Sequence, residues 1–167
     1  QIIQGPDTEK RVYLAHYGSS GERTGFAVFR ELRCSPAGFG PATVSESFPD
    51  PEAAAICDRF LRAVAFRGIC EIELKRDVRD GCFFLVEVNP RLSGGGDAAT
   101  CNGVDLAWLH YLDLIEVCHR PIGQEGRRVR HIVMRPDGEA AVQYVRAGCL
   151  RWSDVLSSYG PPVSFFD

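Results

Sequence analysis

Apolar and polar residues alternate along this chain in short runs, and two of those runs sit close together. The first reads Glu71, Ile72, Glu73, Leu74, Lys75; the second reads Phe84, Leu85, Val86, Glu87, Val88, Asn89. Successive side chains of a strand point to opposite faces. Ile72 and Leu74 therefore share a face, as do Val86 and Val88. Glu71, Glu73 and Lys75 point the other way, and Glu87 and Asn89 share a face with Leu85. A charged turn over 77–81 makes the two runs a hairpin, its aliphatic faces set on a core and its acidic faces brought together.

The remaining pattern predicts alternating hairpins and helices. Strands are expected over 12–17 and 25–32, joined by the turn Ser19-Ser20-Gly21-Glu22 and followed by the loop Ser35-Pro36-Ala37-Gly38-Phe39-Gly40-Pro41. Asp50-Pro51-Glu52 combines an N-cap, a proline at the first helical position and an acid in the first turn. The helix it opens carries an apolar stripe of Ile56, Phe60, Leu61 and Val64 and should run to about Phe66. A second helix is expected from near Asp105 to Cys118, stopped by Pro121. It is apolar nearly all round and hence heavily buried, with His110 a core histidine. Strands should follow over 129–134 and 141–145, around a Pro136-Asp137-Gly138 turn, and then a helical turn or two over 153–158. The order gives an α+β fold, an antiparallel sheet with helices packed on one side.

Composition narrows the class. With 167 residues, 45% hydrophobic and 25% charged, the chain matches one soluble globular domain. A net charge of -3 offers no electrostatic case for nucleic acid or an anionic membrane, and no apolar run is long enough to span a bilayer. Seven cysteines without a C-x-x-C pair predict reduced, mostly buried thiols in a cytoplasmic protein, Cys118 beside His119 among them. The ends suggest a piece of a longer polypeptide: Gln1-Ile2-Ile3 lacks an initiator Met, and Phe165-Phe166-Asp167 closes on an exposed aromatic pair.

Chemistry enters at the acidic face. Carboxylates gathered on one sheet face repel unless something positive lies between them, and a hard divalent cation with oxygen ligands meets that need. A plain antiparallel hairpin with one solvated face meets it too. The tail Asn89-Pro90-Arg91 and Ser93-Gly94-Gly95-Gly96 shifts the balance toward the cation. It sets an amide, a guanidinium and open backbone N–H groups directly after the carboxylates.

Three runs carry a family resemblance: Arg67-Gly68-Ile69-Cys70-Glu71-Ile72-Glu73, then Phe84-Leu85-Val86-Glu87-Val88-Asn89-Pro90-Arg91, then Gly103-Val104-Asp105-Leu106. Together they resemble the C-terminal part of an ATP-grasp domain, in the branch containing carbamoyl-phosphate synthetase, biotin carboxylase and the amino-acid carboxylate–amine ligases. The resemblance covers residues 1–121, with 122–167 an extension packed on the same domain. It implies a ligase dependent on ATP and Mg2+, with Mn2+ able to substitute. Such a ligase activates a small-molecule carboxylate as an acyl phosphate for attack by an amine, without nucleic acid or membrane. By the same resemblance, Glu73, Glu87 and Asn89 would hold two metal ions, Glu71 standing as an alternative to Glu73, and Arg91 would be the catalytic cation facing the phosphate. Ile2 and Ile3 would line the adenine pocket, Glu9 would reach the ribose, and Arg33 would lie near the transferred phosphate. Gly94 and Gly95 would bring backbone N–H groups to the acceptor. The family's phosphate-holding lysines belong to its other half, which is expected before Gln1. A non-catalytic nucleotide-binding or regulatory module of the same family stays open, as does an unrelated α+β interaction domain.

Overall fold

The computed structural model describes residues 2–124 and 128–160 and the backbone of Val163–Phe166; the side chains of the expected C-terminal aromatic pair, and Gln1, lie outside the described residues. In chain order the elements are β1 (Lys10–Tyr17), β2 (Arg23–Cys34), β3 (Ala42–Ser47), α1 (Pro51–Ala63), β4 (Gly68–Arg76) and β5 (Phe83–Asn89). They continue as α2 (Gly96–Cys101), α3 (Leu106–Leu114), β6 (Ile122–Gly123), β7 (Arg130–Val133), α4 (Met134–Arg146), α5 (Trp152–Ser158) and β8 (Val163–Phe166). The strands form one sheet ordered β5-β4-β1-β2-β3-β7-β8, with β6 beside β2. Pairing is antiparallel except at β2–β6 and β7–β8.

The sheet is covered on both faces, not on one as the sequence pattern suggested. β1 shows why, because it is buried continuously from Arg11 to Tyr17. Its Tyr13, Ala15 and Tyr17 join Cys70, Ile72 and Leu74 of β4 in a core closed by Ala53, Cys57 and Leu61 of α1. Its Val12 and Leu14 join Ala27 and Phe29 of β2 in a second core, closed by Ala98 and Ala99 of α2 and Leu106 and Leu109 of α3. A continuous apolar run marks a strand buried on both sides. Each fully buried Leu or Ile contributes about 1.5–3 kcal/mol, so the two cores supply much of the stability.

Local signals hold where they were strongest. Asp50 caps α1 by accepting from the Ala53 N–H at 3.1 Å, with Pro51 at the first position. Its second oxygen accepts from Arg11 Nε at 2.8 Å, which ties the helix start to β1. Asp105 caps α3 through the Trp108 N–H at 2.9 Å. Gly25 lets α3 approach, since a Cβ there would stand 2.3 Å from Leu109 Cδ1.

Other expectations are corrected. α3 ends at Leu114 and is not enclosed: Trp108, Tyr111 and Leu114 are exposed, and only Leu106 and Leu109 are buried. His110 is half-buried, its Nδ1 3.1 Å from His16 Nε2. The expected turn at Pro136-Asp137-Gly138 and strand over 141–145 are both part of α4. Pro136 sits in the first helical turn, where its missing N–H costs nothing. Asp137, Ala140, Ala141 and Tyr144 then form a buried face with helical spacing. Nor are the thiols mostly buried: Cys34, Cys57 and Cys70 are, whereas Cys82, Cys101, Cys118 and Cys149 are exposed.

Candidate functional site

The floor of the site is the β4–β5 hairpin, and its register does the assembling. Glu73 stands opposite Glu87 and Glu71 opposite Asn89. The hairpin turns through Asp77 and Gly81, where the Gly81 N–H donates to the Asp77 carbonyl at 2.8 Å and Gly81 takes a φ of 72°. The register then slips: Leu74 pairs with Leu85, so Val86 is passed over as a bulge. The slip corrects the simple alternation. Leu85 sits across from Leu74, and Val86 lines the cleft beside Glu87.

On the other side of β4, Val12 of β1 pairs with Glu73 and Leu14 with Glu71, so the carboxylates share the face of the second core. α2 closes against them. Ser93 Oγ donates to Glu71 Oε2 at 2.5 Å, and Asn89 Nδ2 lies 3.5 Å from Glu71 Oε1. The Gly95 N–H donates to Ser93 Oγ at 3.3 Å. A Cβ on Gly95 would come within 3.0 Å of Glu71 Oε2 and 3.1 Å of Leu14 Cδ1, so any other residue would push one of these side chains aside by a few tenths of an ångström.

Above this floor is a cleft of about 1050 Å³. One wall is Ile2–Asp7 with Lys10, another is the loop Ala37–Pro41, and the hairpin with Arg91, Ser93 and Gly94 completes it. Phe39 at the loop tip is 93% exposed. Its electrostatics are crowded. Burial, with Glu31, Glu71 and Glu87 nearby, pushes the Glu73 carboxyl up to about 7 despite Lys10. Burial also raises Glu31, although Lys10 Nζ lies 2.9 Å from its Oε2. Burial alone would lower Lys10, but Glu31 outweighs it and the ammonium is held more firmly. Asp7 accepts from the Tyr144 hydroxyl and lies 3.5 Å from Lys10.

Of the residues singled out in sequence, the cleft brings together Ile2, Ile3, Glu71, Glu73, Glu87, Asn89, Arg91 and Gly94. Gly95 lies just behind, lining a smaller cavity that also reaches Glu71, Glu73 and Gly94. Glu9 ends a short 3-10 turn and does not line the cleft, whereas Asp7 of the same turn does. Arg33 is placed elsewhere. It is 2% exposed and held by Asp137 through two bonds of 2.9 and 2.8 Å, with Ser158 Oγ at 2.9 Å. Sequence reading missed Glu31, Lys10 and Tyr144. Glu31 had a signal, a charge on the buried face of β2 two residues after Phe29. Tyr144 had none, since it reaches the cleft only because α4 is a helix. Among the described residues, no three His, Cys, Asp or Glu side chains are already drawn together as a metal-binding group. Among the same residues no helix is long and apolar enough to cross a membrane.

No protein-family profile matches the chain, and no curated protein aligns with it. Solved structures do share its shape. N5-carboxyaminoimidazole synthetase from Staphylococcus aureus, complexed with ADP, superposes with a TM-score of 0.55 at 13% identity over 75% of this chain and 33% of that one. The phosphoribosylaminoimidazole carboxylase ATPase subunit from Aquifex aeolicus gives 0.55 at 13% identity over 69% and 35%. Biotin carboxylase from Campylobacter jejuni, in a β,γ-ATP complex, gives 0.54 at 15% identity over 71% and 27%. The chain thus spans about a third or less of these proteins' lengths. The shared fold is that of part of an ATP-grasp domain, an antiparallel sheet with helices.

Proposed function

We propose that this chain supplies the metal-and-phosphate half of an ATP-grasp ligase, an enzyme that activates a carboxylate as an acyl phosphate for attack by an amine. One observation carries the reading: the β4–β5 register sets Glu73 against Glu87 and Glu71 against Asn89 on the floor of a large cleft, with Arg91 on the same cleft. The donor chemistry fits Mg2+ or Mn2+. Two carboxylates and an amide oxygen on neighbouring strands are hard ligands, and the crowding that raises Glu73 to about 7 is the condition a divalent cation relieves. Glu73, Glu87 and Asn89 would hold two such ions, and bound metal would neutralise charge on the nucleotide phosphates.

The reaction conserves its atoms simply. A carboxylate oxygen bonds to the γ-phosphorus as the bond from that phosphorus to its bridging oxygen breaks and ADP leaves. The amine nitrogen then bonds to the acyl carbon, inorganic phosphate leaves, and the amine proton passes to solvent. The protein's part is positioning and charge. Arg91 stabilises the phosphoryl group in transfer, and Lys10 and Lys75 on adjacent strands offset the carboxylates of the floor. Ile2 and Ile3 offer an apolar edge for the adenine. The rest of the nucleotide cleft would come from an N-terminal half of the same polypeptide.

Glu87→Gln in the intact protein tests this. The substitution keeps the shape of an exposed side chain and removes its charge. ATP-dependent acyl phosphate, trapped as hydroxamate, should fall by about 100-fold or more. Undiminished turnover overturns the assignment, and nucleotide binding without any turnover in the wild type points to a regulatory module.

A further inference from the structure

The cleft has a side chamber. A cavity of about 310 Å³ lies behind the hairpin between the sheet and α2. Pro41, Glu71, Glu73 and Gly94 line both spaces, so they mark where one opens into the other. Deeper in, the walls are Val12, Leu14, Phe29, Ala98 and Val133. Four of those five belong to the second core, so the walls are fixed by packing rather than by a mobile loop.

We infer that this chamber is the specificity pocket for the acid activated in the cleft, and that it takes a compact, uncharged apolar substituent of about leucine to phenylalanine size. The inference rests on the function proposed above. Volume sets the size, since about 300 Å³ is the lower end of small-molecule sites. Charge sets the class. The ionisable groups on the lining are Glu31, Glu71, Glu73 and His131, and burial disfavours the charged form of the His131 imidazole. A second carboxylate or a phosphate reaching past the metal site at Glu73 would meet Glu31, with no Lys or Arg on the lining. An ammonium would find Glu31 already paired with Lys10, Glu71 already bonded to Ser93 and Asn89, and Glu73 committed to the metal ions of the proposed function. Only an apolar group gains by leaving water here.

The experiment pairs ADP release by the intact protein with direct binding of acids in the absence of nucleotide. The acids would be glycine, alanine, leucine, phenylalanine, glutamate and lysine, with 4-methylpentanoate as a probe. Leucine and phenylalanine should give the highest kcat/KM, with at least about 10-fold lost for the shortest side chains. Ala42→Phe, at a half-buried position on the chamber wall, should raise KM for the large apolar acids at least about 10-fold while leaving alanine nearly unchanged. Val133→Ala should shift the size optimum upward. A preference for glutamate or lysine overturns the inference, as does an Ala42→Phe penalty equal for all acids. So does absence of both binding and turnover. Binding of 4-methylpentanoate that Ala42→Phe removes, without ADP release from any acid, upholds the pocket and rejects the ligase reading instead. ADP release indifferent to both variants upholds the ligase and rejects the pocket.

Discussion

Replacing Glu73 by Gln should make the metal-free protein more stable and less able to bind metal. Burial and three neighbouring carboxyl groups raise this side chain from 4.5 to about 7. The folded state therefore holds a proton that the unfolded chain has released, over the window from about 4.5 to about 7. Below that window both states are protonated and nothing is lost. As pH rises through it, folded stability falls, and above it the full penalty of a crowded carboxylate remains. At about 1.4 kcal/mol per pKa unit the shift corresponds to about 3 kcal/mol. Glu73 is only half-buried and faces an open cleft, so screening by water reduces the figure to about 1–2 kcal/mol. Gln keeps the size and removes the charge. Thermal unfolding at about pH 8 should show the variant melting about 3–6 °C higher than wild type. The two should converge at about pH 4, where the wild-type carboxyl is protonated in both states. Millimolar Mg2+ at the higher pH should raise the wild-type midpoint and leave the variant unmoved. Equal stability of the two proteins at high pH, or a Mg2+ response that survives the substitution, would refute the claim that Glu73 is both crowded and a ligand.

Four further outcomes follow from the packing. Asp137→Ala leaves the buried Arg33 without its partner and should cost about 3–5 kcal/mol in denaturant unfolding. Arg33→Lys loses the two-pronged geometry and should lower stability as well; a variant that lost turnover at unchanged stability would instead return Arg33 to the phosphate site. Asp50→Ala removes both the α1 cap and the Arg11 bond and should cost about 1–2 kcal/mol, read as a lower urea midpoint with unchanged slope. Leu61→Ala, at a fully buried position on the sheet-facing side of α1, should cost about 2–5 kcal/mol by the same measurement.

The hairpin was legible in the sequence because period-two alternation is a short-range signal, and its acidic and aliphatic faces were set by residues two apart. The caps at Asp50 and Asp105 were legible for the same reason: a cap is a contact between near neighbours. What depended on distant partners was not. Pro136-Asp137-Gly138 has the chemistry of a turn, and it became helix because Asp137 is drawn into a bond with Arg33 more than a hundred residues earlier. Arg33 looked available in sequence because nothing local revealed that partner. The apolar ring of α3 promised burial all round, yet a helix is buried only where another element covers it, and here only the sheet side is covered. Glu31 and Lys10 reached the site by strand neighbours that no local pattern names.

The bulge at Val86 has a consequence for how this chain can change over time. Because pairing slips there, the turn-side half of the hairpin is out of step with the half that carries Glu87 and Asn89. A residue gained or lost between Asp77 and Cys82 can be taken up at the slip without rotating either site residue to the wrong face. Lineages can therefore lengthen, shorten and rewrite the hairpin tip while a few alternate positions near its base keep their facing. A chain built this way can drift far in its letters and still hold its shape, which accords with structural likeness at 13–15% identity where no sequence profile finds a match.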